Sequence, residues 1–450
     1  MKRFALPLLV AISAFAVTCK PDFDEIRPSP GTADFSRTIA VGDNFLSGYQ
    51  DGAFSADGQQ HSVPALLNRQ FMLAGGNEFT QALLPADASA GWYGKPWESW
   101  YVTASQLGDR TDCEGVVSMG PVKQFLPLAN AQQVLAPQNV PGLGDFAVPF
   151  LTTDQWFNPA AGSNPFSTNQ PPFYHRIASQ PGVSTFAGDV RAGNATFFTA
   201  WAGMENIYAY ARNGATGPPP VPAAVFADHL DSLLAPLTAA GAKGVIANLP
   251  GFRSFPYYTL IPWDGADLTQ NKADSLNDIY EVSGLTHIVF EAGDNGFVID
   301  DTTAPYDVRQ LHAGEYITLT VPLDSMKCHY MGILFSTIPD RYVLDSGEVA
   351  FIDATIAAYN QVIAQKAAQY GLAFADMHNY FEQVTAGVVW DGVTHDATFV
   401  SGGFYSLDGY HPHQKGYALI ANEFIKAINL KFGATIPTLN CFDCVGVKFP

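Results

Sequence analysis

Two apolar rhythms run along the 450-residue chain. Short, nearly unbroken apolar runs read as strands. They are "RTIAVG" from Arg37, "NATFFTAWAG" from Asn194, "KGVIANLPG" from Lys243 and "LAFADMH" from Leu372. The second has no polar alternation, as expected of a strand buried on both faces of a parallel sheet. Between these runs the apolar positions recur at helical spacing. "HSVPALLNRQFMLAGG" ends at glycines, and "VFADHLDSLLAPLTAAGA" precedes the third run. Asp345 and Glu348 have capping-box spacing, and Val349, Ile352, Ile356, Tyr359 and Ile363 follow on one face, with Gly371 past the end. Tyr417, Ile420, Phe424 and Ile428 mark a last helix that stops at Gly433. Strand and helix in alternation predict an α/β domain of three layers, a parallel sheet between two layers of helices.

Two regions break the pattern. Residues 77–190 read as loop, rich in Pro, Asn and Trp. Within 256–340, "THIVFEAGDNGFVIDD" and "GEYITLTVPL" are β-like runs with turn signals between them, so a β-rich insertion is expected there. No internal repeat is visible.

Composition narrows the class. Hydrophobic residues make up 47% and charged residues 14%, a folded chain with ample apolar surface to bury. The formal net charge of −19 repels phosphate backbones, so nucleic acid is not an expected partner. Lys2 and Arg3 precede "FALPLLVAISAFAV", an apolar segment short for a membrane span, and then Cys19. Residues 1–18 are expected to be a signal peptide. A Cys in this place resembles the lipobox of a bacterial lipoprotein, which makes Cys19 the lipidated first residue. Residues 19–36, polar and Pro-bearing, then form a tether. Of the other four cysteines, Cys441 and Cys444 in "CFDC" are expected to close on each other, in a C-terminal tail spanning 436–450. The main domain is placed at 37–435.

Ligands of open parallel sheets bind beyond the carboxyl ends of the strands. Three motifs are expected at such ends: "GDN" at Gly42–Asn44, "VPG" at Val140–Gly142 and "GMEN" at Gly203–Asn206. A fourth, "DGYH" at Asp408–His411, opens the last helix. In this order they resemble the four blocks of the SGNH, or GDSL, hydrolase family. The longer stretches around them look like a Bacteroidetes lipoprotein branch of it. The resemblance covers nearly all of the mature chain and implies a flavodoxin-like SGNH hydrolase fold. It also implies a role for each block. Gly42, Asp43, Gly48 and Tyr49 set the register, which puts Asn44 where the family has its serine nucleophile. Glu205 falls where the family has an Asn donating to the oxyanion. Gly142 is the glycine whose N–H completes the oxyanion hole, and Asp408 and His411 are the orienting acid and the general base.

The chemistry argues against turnover. Asn44 has no ionisable oxygen for an imidazole to activate. A carboxylate at Glu205 accepts rather than donates, and repels the oxyanion. The expected function is a lipid-anchored, non-catalytic pseudo-hydrolase, a binding or assembly component of an outer-membrane complex. Its partners are the membrane, through the lipid, and other outer-membrane proteins, at the periplasmic or cell-surface face. The alternative is an active esterase, lipase or carbohydrate deacetylase that uses another nucleophile or a His411-activated water. A third reading is a structural lipoprotein with a collapsed pocket. Ser47, about one helical turn past Asn44, is the substitute nucleophile to consider, although its simpler role is helix surface. Asp408 and His411 also suit a turn held by backbone hydrogen bonds alone. Asp43, Asn44, Glu205 and His411 match no metal spacing, so no metal or cofactor is expected. The aromatics Trp92, Tyr93, Trp97, Trp100 and Tyr101 suit stacking on a sugar or lipid, or packing of their own loop.

Overall fold

Five strands make the central sheet: β1 (Thr38–Gly42), β2 (Asp145–Ala147), β3 (Phe197–Trp201), β4 (Lys243–Ala247) and β5 (Ala373–Ala375). Their spatial order is β5-β4-β3-β1-β2, and every pair is parallel. Read by number this is 2-1-3-4-5, the flavodoxin-like order, with its switch point between β1 and β3. The computed structural model describes residues 27–86, 88–91, 102–124, 135–163, 173–334 and 336–447. Cys19 with the signal segment, and the aromatics Trp92, Tyr93, Trp97, Trp100 and Tyr101, lie outside the described residues.

The helices that matter to the layers and the site are α1 (Asn44–Ser47), α2 (Val63–Leu73), α3 (Phe186–Ala192), α4 (Met204–Ala211), α5 (Ala223–Ala239), α6 (Gln270–Val282), α7 (Leu323–His329), α8 (Ser346–Gln369), α9 (Met377–Ala386) and α10 (Gln414–Phe432); short helical turns also occur, at Ala56–Gln60 and Pro256–Thr259 among others. α10 packs on α2 and β5, while α5 and α8 pack on each other with α8 against β4. The three-layer α/β/α arrangement follows. β1 and β3 are buried along their whole length, as two covered faces require. The capping box of α8 forms as expected: Asp345 accepts from the Glu348 N–H at 2.7 Å, and Glu348 accepts from the Asp345 N–H at 2.9 Å. Among the described residues no helix is long and apolar enough to cross a membrane.

The stretch read as loop supplies β2, a hairpin (Gln106–Thr111 with Val117–Val122) and α3. The insertion at 256–340 contains the short strands Val298–Asp300, Val308–Gln310 and Tyr316–Ile317, together with α6 and α7. It builds two small cores, around Ile317 and around Leu276. Arg309 braces it, 2.5 Å from Asp301 and 2.7 Å from Glu315.

The cysteine pairing differs from expectation. Cys113 in the hairpin turn is bonded to Cys328 on α7, and Cys441 and Cys444 are free, buried thiols. The reason is packing. The chain after α10 folds back onto it: Asn422 donates to the Leu439 carbonyl and accepts its N–H, which draws Cys441 into the main core. Burial there pushes the Cys441 thiol up to about 12.

Candidate functional site

The site forms where β1 and β3 end. Gly42 must be glycine, because a Cβ there would lie 2.2 Å from the Trp201 carbonyl oxygen. Gly203 turns the chain from β3 into α4 with φ +105°, and a Cβ would press on the Phe226 ring at 2.8 Å. Asp43 caps α1, accepting from the Phe45 N–H at 3.4 Å, and also accepts from the Glu205 N–H at 3.1 Å. This buried carboxylate therefore fastens the first motif to the third.

Asn44, Glu205 and His411 come together, each 1–2% exposed. The Asn44 amide nitrogen donates to Glu205 Oε2 at 3.1 Å and lies 3.2 Å from His411 Nε2. Its oxygen accepts from the Phe150 N–H. On the far side of the ring, His411 Nδ1 is 2.8 Å from Asp408 Oδ2. One assignment satisfies every atom: the imidazole proton is on Nδ1 facing Asp408, and Nε2 accepts from Asn44. Asp408 also takes the Gly52, Tyr410 and His411 N–H groups. The turn thus serves backbone and imidazole alike.

The second-block expectation fails. Gly142 sits before β2, at the amino end of the sheet, where its carbonyl accepts from Arg37 at 2.7 Å. The amide that reaches the site is that of Phe150, past the carboxyl end of β2, with φ +64°. Glycine is the usual residue at such an angle, so a search for glycine misses a phenylalanine holding it. Ser47 is excluded as nucleophile by its own bonds. Its buried hydroxyl donates to the Asn44 carbonyl at 2.9 Å and accepts the Tyr49 N–H at 3.2 Å.

Electrostatics change one sequence expectation. Burial pushes the Glu205 carboxyl up to about 8 and Asp43 up to about 6. At neutral pH Glu205 is therefore mostly a neutral acid, not a charge that repels an oxyanion. Burial also pushes Asp408 upward, but the His411 ring and the backbone donors outweigh it and hold this carboxyl below its ordinary range. Aromatic rings close the site: Tyr49, Phe45, Tyr410 and Tyr208 stand 4.8, 5.5, 5.0 and 6.0 Å from the His411 ring, centroid to centroid.

The chemical consequence is specific. The Asp408–His411 pair has the geometry of an orienting acid and a base. The Asn44 carboxamide occupies the positions of both reactants: its nitrogen lies where an attacking oxygen would face Nε2, and its oxygen takes the Phe150 N–H that would face an oxyanion. A cavity of about 930 Å³ lies elsewhere, between the hairpin, α6 and α7.

No family model matches the chain, and neither does any curated protein. Solved structures with a similar course exist. A mutant acetyl-xylooligosaccharide esterase from Geobacillus has TM-score 0.36 and 10% identity, covering 89% of this chain and 97% of its own. An alpha/beta hydrolase from the Lake Arreo metagenome has TM-score 0.35 and 10% identity, covering 88% and 96%. A protein described as a GDSL-like lipase, from Parabacteroides merdae, has TM-score 0.35 and 9% identity, covering 90% and 100%. The fold assignment stands on strand order and direction, not on these likenesses.

Proposed function

We propose that this chain is a retired hydrolase of SGNH type, anchored to the outer membrane by lipid on Cys19, and that it serves as a binding or assembly component in the envelope. One observation supports the retired site above the others: Asn44 stands in the nucleophile's place and is hydrogen-bonded at both ends, to His411 Nε2 and to the Phe150 N–H. A base whose acceptor nitrogen already faces the Asn44 amide, 2% exposed, has a carboxamide where a hydroxyl would have to stand. The complete Asp408–His411 pair favours the second reading, a hydrolase working through water. That reading requires Asn44 to leave Nε2.

The experiment is ester turnover by the purified chain on p-nitrophenyl acetate and butyrate, against His411→Ala. The proposal expects the two proteins to be indistinguishable. Turnover that disappears with His411 would overturn it.

A further inference from the structure

Four arginines among the described residues are buried or half-buried: Arg37, Arg176, Arg212 and Arg309. Arg37 donates to three backbone carbonyls, Arg176 to the Ala82 and Leu83 carbonyls, and Arg309 to two carboxylates. Arg212 differs. Among the described residues its guanidinium has no hydrogen-bond acceptor and no ion-pair partner, and its side-chain contacts are with two aromatic rings. The guanidinium carbon is 5.3 Å from the Phe150 ring centroid and 5.2 Å from that of Tyr208.

Those two rings also flank the candidate site. Phe150 supplies the N–H that holds Asn44, and Tyr208 packs against His411 at 6.0 Å. Arg212 caps the carboxyl end of α4, whose first turn carries Glu205. A cation held one ring away from the Asn44–His411 network thus lies against two aromatic rings, with no protein acceptor among the described residues. We propose that Arg212 anchors an anion-binding subsite beside this network, and that the ligand presents a carboxylate.

The N–H edges of the planar guanidinium match the two oxygens of a planar oxyanion. Arg212 is half-buried and its nitrogens are not among the buried polar atoms that lack a partner, so they are open to an incoming anion. Glu205 is a nearby acid, but it is largely protonated at neutral pH and so compensates the cation only above about 8. A single charge fits better than two: the adjoining network already holds Asp408 on His411 and Asp43 on the Glu205 N–H, and the chain carries −19, so each further negative charge on the ligand meets more repulsion.

The inference rests on the reading of the site as one that binds without turnover, and the two can fail separately. The experiment titrates butyrate, butyramide and inorganic phosphate into the full chain at low salt, read by calorimetry and saturation-transfer NMR. Butyrate should saturate and butyramide should not bind. Arg212→Gln should weaken butyrate at least tenfold, with Arg212→Lys in between, because it keeps the charge but loses the fork. Butyrate affinity should also fall as pH rises through about 8, where Glu205 becomes a competing anion; a purely structural arginine would not produce that dependence. No saturable butyrate binding by the wild type, equal affinity in Arg212→Gln, or tighter binding of phosphate than of butyrate overturns the proposal. If Arg212→Gln does not fold, the Arg212→Lys and pH results decide. Ester turnover by the wild type would remove the retired-site reading and leave butyrate binding standing. Absent binding in a chain without turnover would remove this inference alone.

Discussion

Replacing Glu205 by Gln should make the protein more stable at alkaline pH. The wild-type carboxyl ordinarily titrates at 4.5 and here keeps its proton to about 8, because burial penalises the anion. An acid that binds its proton more tightly folded than unfolded supports the fold at low pH. That support is complete below its ordinary range and is lost as pH rises through about 8. At about 1.4 kcal/mol per tenfold change in proton affinity, the loss is on the order of 4–5 kcal/mol. Gln keeps an oxygen to accept the Asn44 amide and cannot ionise. Urea unfolding followed by circular dichroism, on both chains from about pH 5 to about pH 9, should show a gap that widens by on the order of 4 kcal/mol in favour of the variant. Asp43, also raised, titrates in both chains and cancels in the comparison. Parallel pH–stability curves would refute the assignment of Glu205 as a buried neutral acid.

The disulfide Cys113–Cys328 closes a loop of 215 residues and ties the hairpin to α7. Replacing both with Ala should lower stability by about 2–4 kcal/mol in urea, and thiol labelling under denaturation should find Cys441 and Cys444 reduced. Gly203→Ala combines a left-handed φ with a Cβ against Phe226, so it should destabilise by roughly 2–4 kcal/mol; a melting temperature within a degree of wild type would contradict that crowding. For the anchor, mass spectrometry of protein from native membranes should find acyl chains on an N-terminal Cys19. An unmodified Cys19, or cleavage elsewhere, would remove that part of the proposal.

How much of this could be read beforehand depended on whether the signal was local. The strands that became β1, β3, β4 and β5 are contiguous apolar runs, and α8 begins with a capping box written in neighbouring residues, so each was legible. β2 is three residues long, too short for any period, and with it went the position of the second block. Phe150 has no sequence signature for a left-handed backbone. The Cys113–Cys328 pairing joins distant segments, and spacing cannot choose among three pairings. Asp43, Asn44, Glu205, Asp408 and His411 were all named from motif order, and the structure brings them together. The protonation of Glu205 was not legible, because it depends on burial by residues far along the chain. Nor was Arg212, whose setting between Phe150 and Tyr208 exists only after folding.

The most direct measurement is a single-turnover assay on Asn44→Ser. The site retains its base, a neutral acid at Glu205 and the Phe150 N–H on the side that Asn44 now occupies, and it lacks only the nucleophile. Neutral Glu205 removes the need to change that position as well. Mixed with p-nitrophenyl acetate near neutral pH, Asn44→Ser should release a burst of p-nitrophenol approaching one equivalent of protein. Wild type and Asn44→Ser/His411→Ala should release none. A burst from wild type would mean that Asn44 never retired the site, and a folded Asn44→Ser with no His411-dependent burst would mean that more than the nucleophile has been lost.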